Sequence, residues 1–244
     1  MWAARAQAAI ASGASVTPAE YICPKCRDTG QIIHRMPDGF GLTVEECECS
    51  IRRRSMRRIE RSGLADVISR YTFDAFLTPD EKTRAIKSAA LKYVTEDGGR
   101  WFVIVGRPGS GKTHICTAIV GKLIERGRDC RYMLWRDAVR ELKALSMDAA
   151  GYRRQMDAYK RVDVLYIDDF LKGRSITDAD LNIAFELLNA RYNQDRKTLI
   201  SGEHSIEEIM NLDEAIGSRI YERCKGGYCF QSSGVNHRLA GGGA

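Results

Sequence analysis

The chain has 244 residues, 38 Lys and Arg against 32 Asp and Glu, a net charge of +6 and 44% hydrophobic residues. This suits one sizeable core with a small module beside it, and the basic excess permits nucleic-acid binding without requiring it. No apolar run reaches the roughly 18 residues that a membrane span needs. The Ala-rich stretch after Met1-Trp2-Ala3-Ala4-Arg5 is too weakly apolar for a signal-peptide core, so the expected setting is cytoplasmic and reducing.

In chain order, residues 1–20 read as a short helix and linker with Pro18 near its end. Residues 21–50 hold two cysteine pairs and several glycines and show little periodicity. A basic helix and connector follow over 51–75, ending at Tyr71-Thr72-Phe73. Arg52, Arg53, Arg54, Arg57, Arg58 and Arg61 crowd it, with only Glu60 against them. They read equally well as a solvated face and as a stripe that binds phosphates or a partner.

From 76 to 240 short apolar runs alternate with helical stretches. The predicted strands are 101–105, 131–135, 162–167 and 198–201. Continuous apolar runs suit strands buried on both faces. Ile115, Ile119 and Leu123 share one helical face, and Leu181, Ala184, Leu188 and Tyr192 share another. Such alternation predicts an α/β fold, a parallel sheet flanked by helices, with ligands at the carboxyl ends of its strands. The expected domains are a module over 1–60, a linker over 61–75, an α/β domain over 76–240 and a flexible tail over 241–244.

The strand at 101–105 runs into Gly106-Arg107-Pro108-Gly109-Ser110-Gly111-Lys112-Thr113, and a helix opening with His114 follows. This is a Walker A loop in its required strand–loop–helix setting. Its glycines let successive N–H groups curl around phosphate oxygens, and the helix N-terminus adds its dipole. Lys112 is expected on the β- and γ-phosphates of ATP, and Thr113 on Mg²⁺. The apolar run 162–167 ends in Asp168-Asp169. Asp168 is expected to hold Mg²⁺ through its water shell, and Asp169 to orient or deprotonate the attacking water. Ser201, ending the last strand, is a candidate sensor of the γ-phosphate. A Glu at position 203 would repel phosphate unless paired with a cation. Arg219 reads either as an arginine that reaches a neighbouring subunit's nucleotide or as a surface ion pair with Glu222 or Asp213.

Cys23-Pro24-Lys25-Cys26 and Cys47-Glu48-Cys49 flank a loop of 20 residues. In a reducing compartment paired cysteines are more often metal ligands than disulfides, and these fit a tetrahedral Zn²⁺ site, with His34 as an alternative ligand. The module is too small to fold on its own core, and the metal would staple it. Cys116, Cys130, Cys224 and Cys229 read as small core residues.

Gly-x-Pro-Gly-x-Gly-Lys-Thr with Asp168-Asp169, Thr198-Leu-Ile-Ser followed by Ser205-Ile206-Glu207-Glu208-Ile209, and Ser218-Arg219-Ile220 together resemble the DnaC/DnaI-type AAA+ helicase loaders and their IstB relatives. The likeness extends to Cys23-Pro-Lys-Cys-Arg-Asp-Thr-Gly, Tyr71-Thr-Phe-Asp-Ala-Phe and Asn236-His237-Arg238-Leu239, most of 21–240, and is greatest to loaders of Gram-positive bacteria and their phages. The resemblance implies a zinc-bearing module that grips a hexameric replicative helicase of the DnaB type. It implies an AAA+ domain that binds ATP and single-stranded DNA and self-associates on binding ATP or helicase. It also implies an arginine finger at Arg219 and a second, sensor-like arginine at Arg238. The chain departs from the family at Gly202-Glu203-His204, where an Asn is common. The runner-up is an IstB-like ATPase that assists a transposase, and the cysteine module favours the loader.

Overall fold

The computed structural model describes residues 21–37, 40–61, 64–173 and 175–232. The expected helix within 1–20, the tail and Arg238 lie outside them. The chain divides into two compact units between Ile51 and Arg52.

In the smaller unit, β1 (Gln31–Arg35) and β2 (Leu42–Glu46) form an antiparallel hairpin in which Ile33 faces Val44. The sequence did not predict it. Ile33, Leu42 and Val44 are exposed, so no alternating burial pattern marks the strands. The four cysteines, with Ile32 against them, form this unit's buried cluster.

Helix α1 (Glu48–Glu60) carries the arginine-rich segment. Two of those arginines turn inward. Arg58 donates to Asp129 at 2.6 Å and Arg54 to the same carboxylate at 3.5 Å. Between them Ser55, fully buried, donates to Asp129 at 3.2 Å and accepts from the N–H of Cys130 at 3.0 Å. The solvated-face reading therefore fails for Arg54 and Arg58, while Arg52, Arg57 and Arg61 remain exposed.

A short α2 (Ala65–Ile68) precedes α3 (Glu81–Thr95), which opens on a capping box between Asp80 and Thr83. The core alternation follows as β3 (Trp101–Gly106), α4 (Lys112–Glu125), β4 (Cys130–Leu134), α5 (Trp135–Ala144), α6 (Ala149–Arg161), β5 (Val164–Phe170), α7 (Asp178–Asn193), β6 (Lys197–Gly202), α8 (Ile206–Leu212), α9 (Glu214–Cys224) and β7 (Cys229–Ser232). The five strands β4-β5-β6-β3-β7 pair in that order, all parallel. Every residue of β3 up to Val105 is buried, as strands covered on both faces should be. Among the described residues no helix is long and apolar enough to cross a membrane.

Three expectations need correction. Trp135 was placed at the end of a strand, but it opens α5, and its ring packs edge-on to Phe170 at 4.9 Å. Its bulk is buried by tertiary packing, so an apolar run did not mean strand. The third core strand begins at Val164 rather than 162 and runs through both acids to Phe170. Cys229, read as a core residue, is exposed on the edge strand β7, which the sequence reading missed.

Candidate nucleotide site and cysteine cluster

The Walker A loop joins β3 to α4. Gly106 sits at φ 141°, and a Cβ there would come within 2.4 Å of the Ser232 carbonyl oxygen on the neighbouring β7. Gly111 caps α4 at φ 83°, in the left-handed region where only glycine is comfortable. Ser232 also donates its hydroxyl to the Ser110 carbonyl at 3.2 Å, so the edge strand braces the loop. Lys112 is nearly buried and donates to the carbonyls of Gly106 and Arg107, each at 2.8 Å. Burial lowers its pKa, and the charges of Glu203, Asp169 and Asp168 oppose that shift.

Asp168 and Asp169 lie where β5 bulges against β6, between Ile167 and Phe170. A bulge re-aims the side chains it carries. Asp168 is 5% exposed and surrounded by hydroxyls. It accepts from Tyr132 at 3.1 Å, from Thr113 at 3.4 Å and, in a short contact, from Ser201. Tyr132 is partly buried, and that burial together with the Asp168 charge raises its pKa and keeps it a donor. The fully buried Ser201 is thus spent on Asp168 and on Tyr166, at 3.2 Å. A carboxylate and a hydroxyl converging at the mouth of the loop are the oxygen donors a hard divalent cation takes. The site residues chosen from the sequence at 106–113, 168–169 and 201 therefore come together.

Asp169 takes a left-handed conformation, φ 54°. Its carboxylate meets Lys172 at 3.1 Å, and Lys172 meets Glu203 at 3.0 Å. The cation that a Glu at 203 demands is thus supplied by a residue the sequence reading did not single out.

A second missed feature lies on the other side of the loop. Tyr71, Phe76 and Leu77 join Gly109, Gly111 and His114 around a pocket of about 250 Å³. His114 stacks on Tyr71 with centroids 4.7 Å apart and planes at 12°, and its Nε2 lies 2.9 Å from the Thr72 carbonyl. Tyr71, near the end of the segment expected to be a linker, is thus part of a wall of the site, and Phe76 and Leu77 just past it continue that wall. Tyr71 and Phe76, five residues apart, were the available signal.

Arg219 projects from α9. It donates to Asn189 at 3.1 Å and to the Ala215 carbonyl at 2.7 Å, and lies over the Phe185 ring at 5.0 Å. The alternative partners do not take it. Glu222 accepts instead from Tyr192, at 2.8 Å.

In the smaller unit the sulfurs of Cys23, Cys26, Cys47 and Cys49 all lie within 4.8 Å of one another. Cys23 and Cys47 are 3.7 Å apart, Cys26 and Cys49 3.3 Å. Tetrahedral zinc–sulfur bonds of about 2.3 Å put sulfurs about 3.8 Å apart, so the donor set fits. The turn after Cys26 places the Gly30 N–H 3.4 Å from the Cys26 sulfur. Burial opposes ionisation there, but hydrogen bonds from Cys49 and Gly30 bring the Cys26 thiol down to about 6. His34, the alternative ligand, is exposed and faces Glu45 at 3.2 Å, outside the cluster.

The profile of the IstB-like ATP binding protein family matches residues 41–225. Among curated proteins of Bacillus subtilis (strain 168), YqaM is 30% identical, covering 91% of this chain and 87% of its own length. The phage-like element PBSX protein XkdC is 32% identical with the same coverage. Among solved structures, DnaI aligns with a TM-score of 0.59 at 20% identity over 70% of this chain and 92% of that one. The DnaC helicase loader aligns with a TM-score of 0.59 at 19% identity over 68% and 98%. At these identities the likeness is one of fold.

Proposed function

Because the chain belongs to the IstB-like ATP-binding family, we propose that it is an ATPase that loads a ring-shaped replicative helicase onto single-stranded DNA as replication begins. The observation that carries the nucleotide half of this reading is the approach of the Thr113 hydroxyl to Asp168, 3.4 Å across the mouth of the glycine loop. There Thr113 and Asp168 would hold Mg²⁺, which would offset the charge of the phosphates. Lys112 would leave the Gly106 and Arg107 carbonyls for the β- and γ-phosphates. Ser201 and Tyr132 would fix the Asp168 carboxylate, and Asp169 would orient the attacking water. Tyr71 and His114 would flank the base. Arg219, resting on its aromatic shelf, would act on the nucleotide of an adjacent subunit, making hydrolysis slow alone and faster on assembly. ATP then serves as a switch whose effect equals its differential affinity for the two states.

The loader half is supported by an ATPase core and a four-cysteine cluster in one chain, and by the shared fold with a helicase loader. The cysteine module would grip the helicase, in a cytoplasmic setting. The test is affinity capture from a bacterial lysate with ATP. The full chain should retain a hexameric helicase, and a chain beginning at Arg52, which keeps the Ser55–Asp129 contact, should lose it. Lys112→Ala should abolish ATP binding. Capture of a transposase in place of a helicase would transfer the chain to the transposition-helper reading.

A further inference from the structure

Four charged side chains, Lys112, Asp169, Lys172 and Glu203, lie close together beside the glycine loop. Lys172 bridges Asp169 at 3.1 Å and Glu203 at 3.0 Å. Glu203 lines a cleft with Gly106, Arg107 and Pro108. The Lys112 ammonium lies in the field of Glu203, Asp169 and Lys172 together. The backbone is built for this meeting. Asp169 and Leu171 both take left-handed conformations, φ 54° and 56°, on either side of the buried Phe170. Phe170 pairs with Gly202, the residue before Glu203. The Lys172 N–H closes the turn on the Asp169 carbonyl at 3.0 Å. Two non-glycine residues at positive φ are costly, and they persist where the surroundings over-determine them.

A carboxylate in that cleft opposes an incoming phosphate, and the opposition grows with the number of phosphates. Lys172 cancels it. Burial works against the Lys172 charge, but the bonds to Glu203 and Asp169 outweigh it and raise its pKa, so the ammonium is retained. We propose that Lys172 and Glu203 form a charge-compensated pair that reads the γ-phosphate, with Lys172 as a positioning residue that screens Glu203 and aims Asp169. This rests on the nucleotide-site reading above and deepens it. Glu203 lies beside the loop residues Gly106, Arg107 and Pro108, and its bridge to Lys172 leaves the pair neutral as a unit. With Lys172 removed, the group of Asp169 and Glu203 goes from one net negative charge to two beside the γ-phosphate, which ADP lacks.

The experiment measures dissociation constants of the full chain for ATPγS and ADP with Mg²⁺. Lys172→Met should weaken ATPγS about tenfold, the effect of unscreening one carboxylate beside a phosphate, and ADP at most about twofold. Lys172→Arg should keep the wild-type ratio of the two constants. Adding Glu203→Gln to Lys172→Met should restore most of the ATPγS affinity, a recovery that a merely structural role would not give. Wild-type constants in Lys172→Met, or equal losses for both nucleotides without recovery in the double variant, overturn the proposal. Lys112→Ala separates the two levels. If it binds ATPγS as the wild type does, the nucleotide site is wrong and the pair falls with it.

Discussion

Lys197 is 2% exposed, yet it carries an ammonium group. Its Nζ donates to the Tyr93 carbonyl at 2.8 Å and lies 3.9 Å from the centre of the Tyr93 ring. Burial first, and then the charge of Arg128, lower its pKa from 10.5 to about 8. Between those two values the unfolded chain holds a proton that the native chain has released. Stability from this group therefore rises with pH across that window and is level below it. The neutral amine still donates its hydrogen bond. Denaturant unfolding at several pH values between 7.5 and 10 should show the wild type gaining on Lys197→Met as pH rises. Parallel profiles for the two chains would mean that Lys197 is solvated in the native state.

At the scale of elements, Arg191 of α7 is the main tie between layers. It is fully buried. It donates to the carbonyls of Tyr159 and Val162, each at 2.9 Å, to that of Asp163 at 3.3 Å, to that of Lys197, and to the Thr198 hydroxyl at 2.9 Å. It thus ties the end of α6 to the approach to β5 and the start of β6. Arg191→Met preserves the bulk and leaves those carbonyls without a donor. The expected loss is about 3–5 kcal/mol, read as the shift in denaturant midpoint. A loss under about 1 kcal/mol would show that water replaces the guanidinium. No local sequence pattern announces this residue, because its partners lie about 6 to 32 positions away. The same reasoning separates what the sequence made legible from what it hid. The loop at 106–113 and the acids at 168–169 are local patterns with fixed spacing, so their place at one end of the sheet was readable. The order of strands around β3 was not, since it depends on which crossovers pack. Nor was the Lys172–Glu203 pair, 31 positions apart, which meets only because Phe170 lies opposite Gly202. The hairpin at 31–46 escaped because exposed apolar side chains carry no burial period.

At the scale of the whole molecule, the described residues of the smaller unit have a buried core of four sulfurs with Ile32 against them. Its fold should depend on a metal. Elemental analysis should find about one zinc per chain, and chelation should unfold this unit while the larger one keeps its cooperative transition. A metal-free chain that retains protected β1 and β2 amides would refute the zinc assignment. The larger unit has the opposite character, one continuous hydrophobic core, and Arg191 gives it a kinetic signature. A guanidinium that binds carbonyls from the end of α6, the approach to β5 and the start of β6 cannot release one of them alone without stranding its charge in the core. The amides around Tyr159, Val164 and Thr198 should therefore open to hydrogen exchange together, as one unit with a single free energy, even though they sit on three separate elements.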